Sequence, residues 1–77
     1  MFSQRSKPLV MIRLRDVLNR TGLSRSTIYN KLDVDSPHYD EMFPKQVRVG
    51  RGSVRWIESE ITAWIEKCIA LSREPKT

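Results

Sequence analysis

The sequence predicts a mainly α fold with a small β-hairpin: a winged helix-turn-helix of three helices and a two-stranded wing. Three observations predict it. Two short amphipathic segments flank a Thr21-Gly22-Leu23-Ser24 break, two β-prone runs flank Gly50-Arg51-Gly52-Ser53, and Ile61, Trp64, Ile65 and Cys68 recur at helical spacing. At 77 residues the chain holds one domain, since a core of this size buries only about 60% of the unfolded surface.

Residues 1–8, MFSQRSKP, are polar, end in proline and carry no periodicity, so they read as a flexible arm ahead of a domain over residues 9–73, with residues 74–77 as a tail. Residues 9–14 mix apolar and β-branched side chains and suit a short extended lead-in. Leu14, Val17 and Leu18 then share a helical face, which predicts a first helix over residues 15–20. Gly22 supplies the positive φ that ends it, and the Ser24 hydroxyl caps the next one. The second helix is expected over Arg25–Leu32, with Ile28 and Leu32 turned inward and Leu23 packing from the turn.

Residues 33–44 hold Asp33, Asp35, Ser36, Pro37, Asp40 and Pro44, a composition that favours turns and reads as a solvated loop. Residues 46–49 and 54–57 are the expected wing strands, joined through two glycines that suit a hairpin. From Glu58 the pattern is helical again and ends near Arg73, before Pro75. In that closing helix Cys68 continues the apolar stripe and reads as a small buried hydrophobe. Trp56 and Trp64 read as core bulk that holds the wing and the closing helix together, in preference to base-stacking platforms.

The chain carries 14 Lys and Arg against 9 Asp and Glu, for a net charge of +5 that favours an anionic partner. Its distribution is sharper than its sum. Residues 1–31 hold seven bases and one acid, residues 33–41 hold four acids and no base, and residues 42–57 hold Lys45, Arg48, Arg51 and Arg55 with no acid. Two basic stretches parted by an acidic one fit two contact elements on one polyanion, with the acidic loop turned away.

Other function classes find little support. A single cysteine forms no internal disulfide, no run is long and apolar enough for a membrane span, and the N-terminus lacks a signal-peptide pattern, so the expected compartment is the bacterial cytoplasm, in association with the nucleoid. His38 and Cys68 stand thirty residues apart, too few for a zinc site or a Cys-His pair. Asp33, Asp35, Asp40 and Glu41 miss the calcium-loop spacing, and the Gly50-to-Ser53 run lacks the phosphate-loop pattern. Neither a metal, nor a cofactor, nor an enzymatic activity is expected.

A helix-turn-helix places the N-terminal side chains of its second helix against base edges in the major groove. Ser24, Arg25, Ser26, Thr27, Tyr29, Asn30 and Lys31 are the candidates there. Arginine forks to guanine O6 and N7 and asparagine to adenine N6 and N7, whereas Thr27 suits a phosphate. Tyr29 fits either a stack or phosphate bond, or a plug at the core edge with its hydroxyl wet. On the wing, Lys45, Arg48, Arg51, Gly52, Ser53 and Arg55 form a narrow basic loop suited to a minor groove or a phosphate row.

The strings RLRDVLNRTGLSRSTIYNKL and FPKQVRVGRGSVRWIESEITAWIEK resemble the AlpA family of prophage regulators, and the resemblance covers residues 11–71. Its most specific parts are TGLSRSTIY at 21–29, FPK at 43–45 and the W-x-x-S-E-I-x-x-W run at 56–64. The resemblance implies a winged-helix fold similar to excisionases and MerR-type DNA-binding domains. It also implies control of prophage integrase or excision genes, with Ser24, Arg25, Ser26 and Thr27 opening the recognition helix and Arg48 and Arg51 on the basic wing. The connector DVDSPHYDEM is longer and more acidic than the shortest family pattern.

The expected partner is double-stranded DNA, bound sequence-specifically to regulate transcription, with self-association or cooperative binding on repeated sites open. Two alternatives stand beside it: an architectural excision factor that bends DNA, and an adaptor that keeps the winged fold but docks a phage recombinase. The polar outer face of the closing helix, with Glu60, Glu66 and Lys67, argues against a large apolar dock there.

Overall fold

A computed structural model describes residues 9–74, so the expected arm over residues 1–8, and the expected tail beyond its first residue, lie outside the described residues. The elements run β1 (Met11–Ile12), α1 (Leu14–Thr21), α2 (Arg25–Leu32), β2 (Val47–Gly50), β3 (Ser53–Ile57) and α3 (Glu58–Ser72). This is the mainly helical, winged architecture expected. No helix among the described residues is long and apolar enough to cross a membrane.

Local chemistry sets the helix ends. At the start of α1, Asp16 Oδ2 accepts from the Arg13 backbone N–H at 3.1 Å, satisfying a donor that the helix leaves free. Its end is set by Gly22 at φ 73°, whose N–H donates to the Leu18 carbonyl at 2.8 Å. Two residues on, Ser24 Oγ accepts from the Thr27 N–H at 3.2 Å and caps α2. In α3, Glu58 and Glu60 in the first turn face the positive end of the helix dipole.

The sheet has three strands in the order β1-β3-β2, where the sequence predicts two. Met11 pairs with Ile57 and Ile12 with Trp56, both antiparallel, and the Glu58 N–H reaches the Val10 carbonyl at 2.8 Å. The expected extended lead-in thus becomes the third strand, covering the free edge of β3. Two paired residues are too few to carry a periodic signal in the sequence. The wing itself is a tight hairpin: Gly50 pairs with Ser53 across Arg51 and Gly52, Gly52 takes φ 71°, and the register shifts between Arg48 and Gly50.

The core is one knot of six side chains: Ile12 of β1, Val17 of α1, Ile28 of α2, Phe43 of the loop, Trp56 of β3 and Ile61 of α3. Leu14, Leu18, Leu23, Leu32, Val54, Trp64 and Ile65 pack around it, partly buried. Only β2 contributes no buried residue, so the outer wing strand stands clear of the core.

One expectation fails, and another is met only in part. Cys68 is exposed, because α3 outruns the body: each residue over 66–72 is exposed, and the apolar stripe covers the core only through its first half. Trp64 packs against the core as expected but does not fill it as Trp56 does. It lies half-buried with its ring edge-on to Phe43, centroids 4.9 Å apart, and its indole N–H donates to Asp40 Oδ2 at 3.1 Å. It fastens the acidic loop to α3, whereas Trp56 fills the centre.

That loop is more than a solvated turn. Asp33 Oδ1 accepts from the Asp35 N–H at 2.9 Å, Ser36 Oγ from the His38 N–H at 3.0 Å, and Asp40 Oδ1 from the Met42 N–H at 2.9 Å. The Asp40 N–H donates to the Lys31 carbonyl at 3.0 Å, closing the loop back onto the end of α2. Its last residues, Phe43 and Pro44, are buried.

With so small a core, Phe43→Ala should cost about 3–5 kcal/mol, close to the whole stability of a domain this size, and leave the chain largely unfolded in a denaturant titration. Asp40→Ala removes the Trp64 acceptor and should cost about 1 kcal/mol, read as a lower melting temperature with altered Trp fluorescence. Gly52→Ala meets no neighbouring atom within 4 Å but keeps a positive φ, so its expected cost is about 1–2 kcal/mol of strain, measured in the same melts.

Candidate nucleic-acid interface

Burial of Ile28 fixes which side of α2 faces outward. At about 100° per residue, Arg25, Tyr29, Ser26 and Asn30 occupy one arc, and all four are exposed. Thr27 and Lys31 fall on the opposite flank and are half-buried. There Thr27 Oγ1 shares a hydrogen bond of 2.9 Å with Ser24 Oγ, which also serves the cap, so both hydroxyls already have partners. Lys31 Nζ lies 5.5 Å from the Trp64 ring centroid, drawn toward α3. Of the seven candidates on this helix and its cap, the fold gathers Arg25, Ser26, Tyr29 and Asn30 on one arc, while the side chains of Ser24, Thr27 and Lys31 also meet partners within the chain.

The six wing candidates divide similarly. Arg51 and Gly52 form the exposed hairpin tip, with Ser53 half-buried beside them, and Arg48 is exposed on β2. Arg48 pairs with Val54, whose side chain points to the same face as Trp56, whereas Arg55 points to the opposite face. Arg55 is half-buried and its Nη1 donates to the Val54 carbonyl at 2.8 Å. Lys45 precedes the hairpin and turns to the loop, with Nζ 3.3 Å from the Tyr39 hydroxyl and 5.4 Å from its ring centroid.

The electrostatics of α2 follow from its sequence: it has no acidic residue, and Arg25 lies within ion-pair distance of no carboxylate among the described residues. The ion pair of the described residues lies elsewhere, between Arg20 Nη1 and Glu58 Oε2 at 3.7 Å, where Arg20 Nη2 also donates to Thr62 Oγ1 at 2.7 Å and ties α1 to α3. Sequence reasoning passed over Arg13 and Arg15, exposed at the start of α1. The seven-to-one excess of bases in residues 1–31 was the signal for them. It also passed over the approach of Arg25 to Tyr29, 5.9 Å from guanidinium carbon to ring centroid, although the i, i+4 spacing announces it.

Elsewhere, Met42, Pro44, Glu60, Ala63, Trp64 and Lys67 line an open groove of about 370 Å³ between the loop and α3. It includes none of the α2 or wing candidates. Among the described residues no group of three or more His, Cys, Asp or Glu side chains could hold a metal ion.

The family described as Prophage CP4-57 regulatory protein (AlpA) matches residues 10–69, from the strand that edges the sheet through most of α3. The DNA-binding transcriptional activator AlpA of Escherichia coli (strain K12) is 46% identical over 57 residues, covering 74% of this chain and 81% of the relative. The Uncharacterized protein ORF88 of Enterobacteria phage P4 is 41% identical over 59 residues, covering 77% of this chain and 60% of that relative's length. No solved structure matches significantly. A match that takes in α2, the wing and the core residue of every element leaves one assignment: this chain belongs to the AlpA family of prophage regulatory proteins.

Proposed function

We propose that this chain is a sequence-specific double-stranded DNA-binding transcriptional regulator of the bacterial cytoplasm that controls integrase or excision genes of a prophage or related mobile element. The observation that carries this reading is the outer arc of α2, where Arg25, Ser26 and Asn30 stand exposed on a helix without acids, opposite a fully buried Ile28. The 46% identity to a DNA-binding transcriptional activator supports it.

In this mechanism α2 enters the major groove. Arg25 and Asn30 read base edges, Ser26 adds a hydroxyl contact, and the Arg51-Gly52 tip lies on the backbone or in the minor groove with Arg48 beside it. Arg13 and Arg15 neutralise phosphates next to the reading helix. One such domain touches few base pairs, so full occupancy of a promoter calls for cooperative binding on repeated sites.

Titration of the protein on a duplex from its own genomic neighbourhood, random duplex and structured RNA, at several salt concentrations, tests the reading. A preference for one neighbourhood fragment that survives added salt is the expected result; weak binding to all three, erased by salt, would sink it. Arg25→Ala should cost about 1–3 kcal/mol on the preferred duplex and relax base preference at one position. Arg51→Ala should weaken all duplexes alike and lower the salt slope by about 1, measured in the same titrations.

A further inference from the structure

Arg25 and Tyr29 lie one turn apart on the outer arc of α2, with the guanidinium carbon 5.9 Å from the ring centroid. Tyr29 is exposed at 37%, so its ring shares the solvent-facing arc of α2 with Arg25. Arg25 is exposed and, among the described residues, its side chain has no carboxylate partner. An arginine in that state samples many rotamers and loses them on binding, which costs affinity. An aromatic ring one helical turn away removes part of that freedom in advance, because the planar guanidinium rests on an aromatic face without giving up its five N–H donors.

We propose that Tyr29 is a positioning residue for Arg25. Its ring holds the guanidinium as a flat, pre-oriented fork at the outer edge of α2, so that α2 reads a guanine through O6 and N7. This rests on the reading of α2 as the recognition helix and adds to it a division of labour: Arg25 carries the base contact, and Tyr29 acts through Arg25. The ring is the working part; the hydroxyl is not required. Lysine at position 25 keeps the charge but lacks the planar fork, so the arrangement is specific to arginine.

A double-mutant cycle tests this on the duplex that the wild-type protein enriches from a randomised pool, with random duplex alongside. Tyr29→Leu is expected to weaken the enriched duplex by about 2- to 5-fold, the range for an exposed cation-π contact, with little change on random duplex. In an Arg25→Ala background Tyr29→Leu should cost nothing further, Tyr29→Phe should behave as wild type, and Arg25→Lys should lose the guanine preference while retaining random-duplex affinity. Thermal melts check that each variant is folded, and the Tyr29→Phe and Arg25→Lys arms keep the test decisive if Tyr29→Leu is not. Equal losses from Tyr29→Leu with and without Arg25, or a loss from Tyr29→Phe as large as from Tyr29→Leu, would overturn the positioning role in favour of an independent phosphate bond from the hydroxyl. An unchanged base preference in Arg25→Ala alone would instead remove Arg25 as the reader, and the positioning role with it.

Discussion

Burial of Trp56 at the middle of a six-residue core is the constraint on which the rest of this fold depends. β3 is the central strand, and its one fully buried side chain is the largest of the fully buried ones, with Ile12 paired beside it on β1. Around it each remaining element except β2 supplies a single buried residue. In a larger domain several side chains share the task of orienting a helix. Here Val17, Ile28 and Ile61 each do so nearly alone, and loss of any one frees an entire element. The same economy explains a defect the fold tolerates: the Trp56 indole N–H is buried without a hydrogen-bond partner among the described residues. Such a group costs about 1–3 kcal/mol, a penalty that burial of so large a ring offsets.

The core therefore also sets the proposed interface. With Ile28 turned inward, the helical repeat leaves Arg25, Ser26, Tyr29 and Asn30 no place but the outside, and Gly22 and Ser24 fix where that arc begins by ending α1 and starting α2 within three residues. The wing follows a different logic. β2 buries nothing and is held through its pairing with β3, so the position of Arg48 and Arg51 depends on the strand that carries Trp56. Helix α2 and the wing are thus separate elements with a common anchor.

Much of this was legible in the sequence, for a physical reason: short-range signals dominate in a chain of short elements. Gly22 with Ser24, the glycines of the hairpin and the 3.6-residue spacing of Ile61, Trp64 and Ile65 each act within a few residues, and the bounds of α2 follow from them directly. What stayed hidden depends on long-range partners. Nothing near Met11 and Ile12 announces their pairing with Ile57 and Trp56 at the far end of the wing. Cys68 fits the stripe of α3 by spacing, yet its burial depends on whether the body extends that far, and it does not. Among the candidate site residues, the basic count pointed to segments but gave no sign that Lys31, Lys45 and Arg55 would be held by Trp64, Tyr39 and the Val54 carbonyl.

The acidic connector shows how composition and position can carry different meanings. By charge alone, residues 33–41 read as a negative patch kept clear of a polyanion. In the fold, two of their carboxylates shape the chain: Asp33 accepts from the backbone of Asp35, while Asp40 accepts from the backbone of Met42 with one oxygen and from the Trp64 indole with the other. The Asp40 backbone also bonds the end of α2, and three residues later Phe43 enters the core. The run of acids is therefore tied to the same core that orients α2, and a base at position 40 would forfeit both side-chain bonds. A long acidic connector is thereby accommodated without loosening the domain, because its residues bond one another and Asp40 ties it both to the end of α2 and to Trp64.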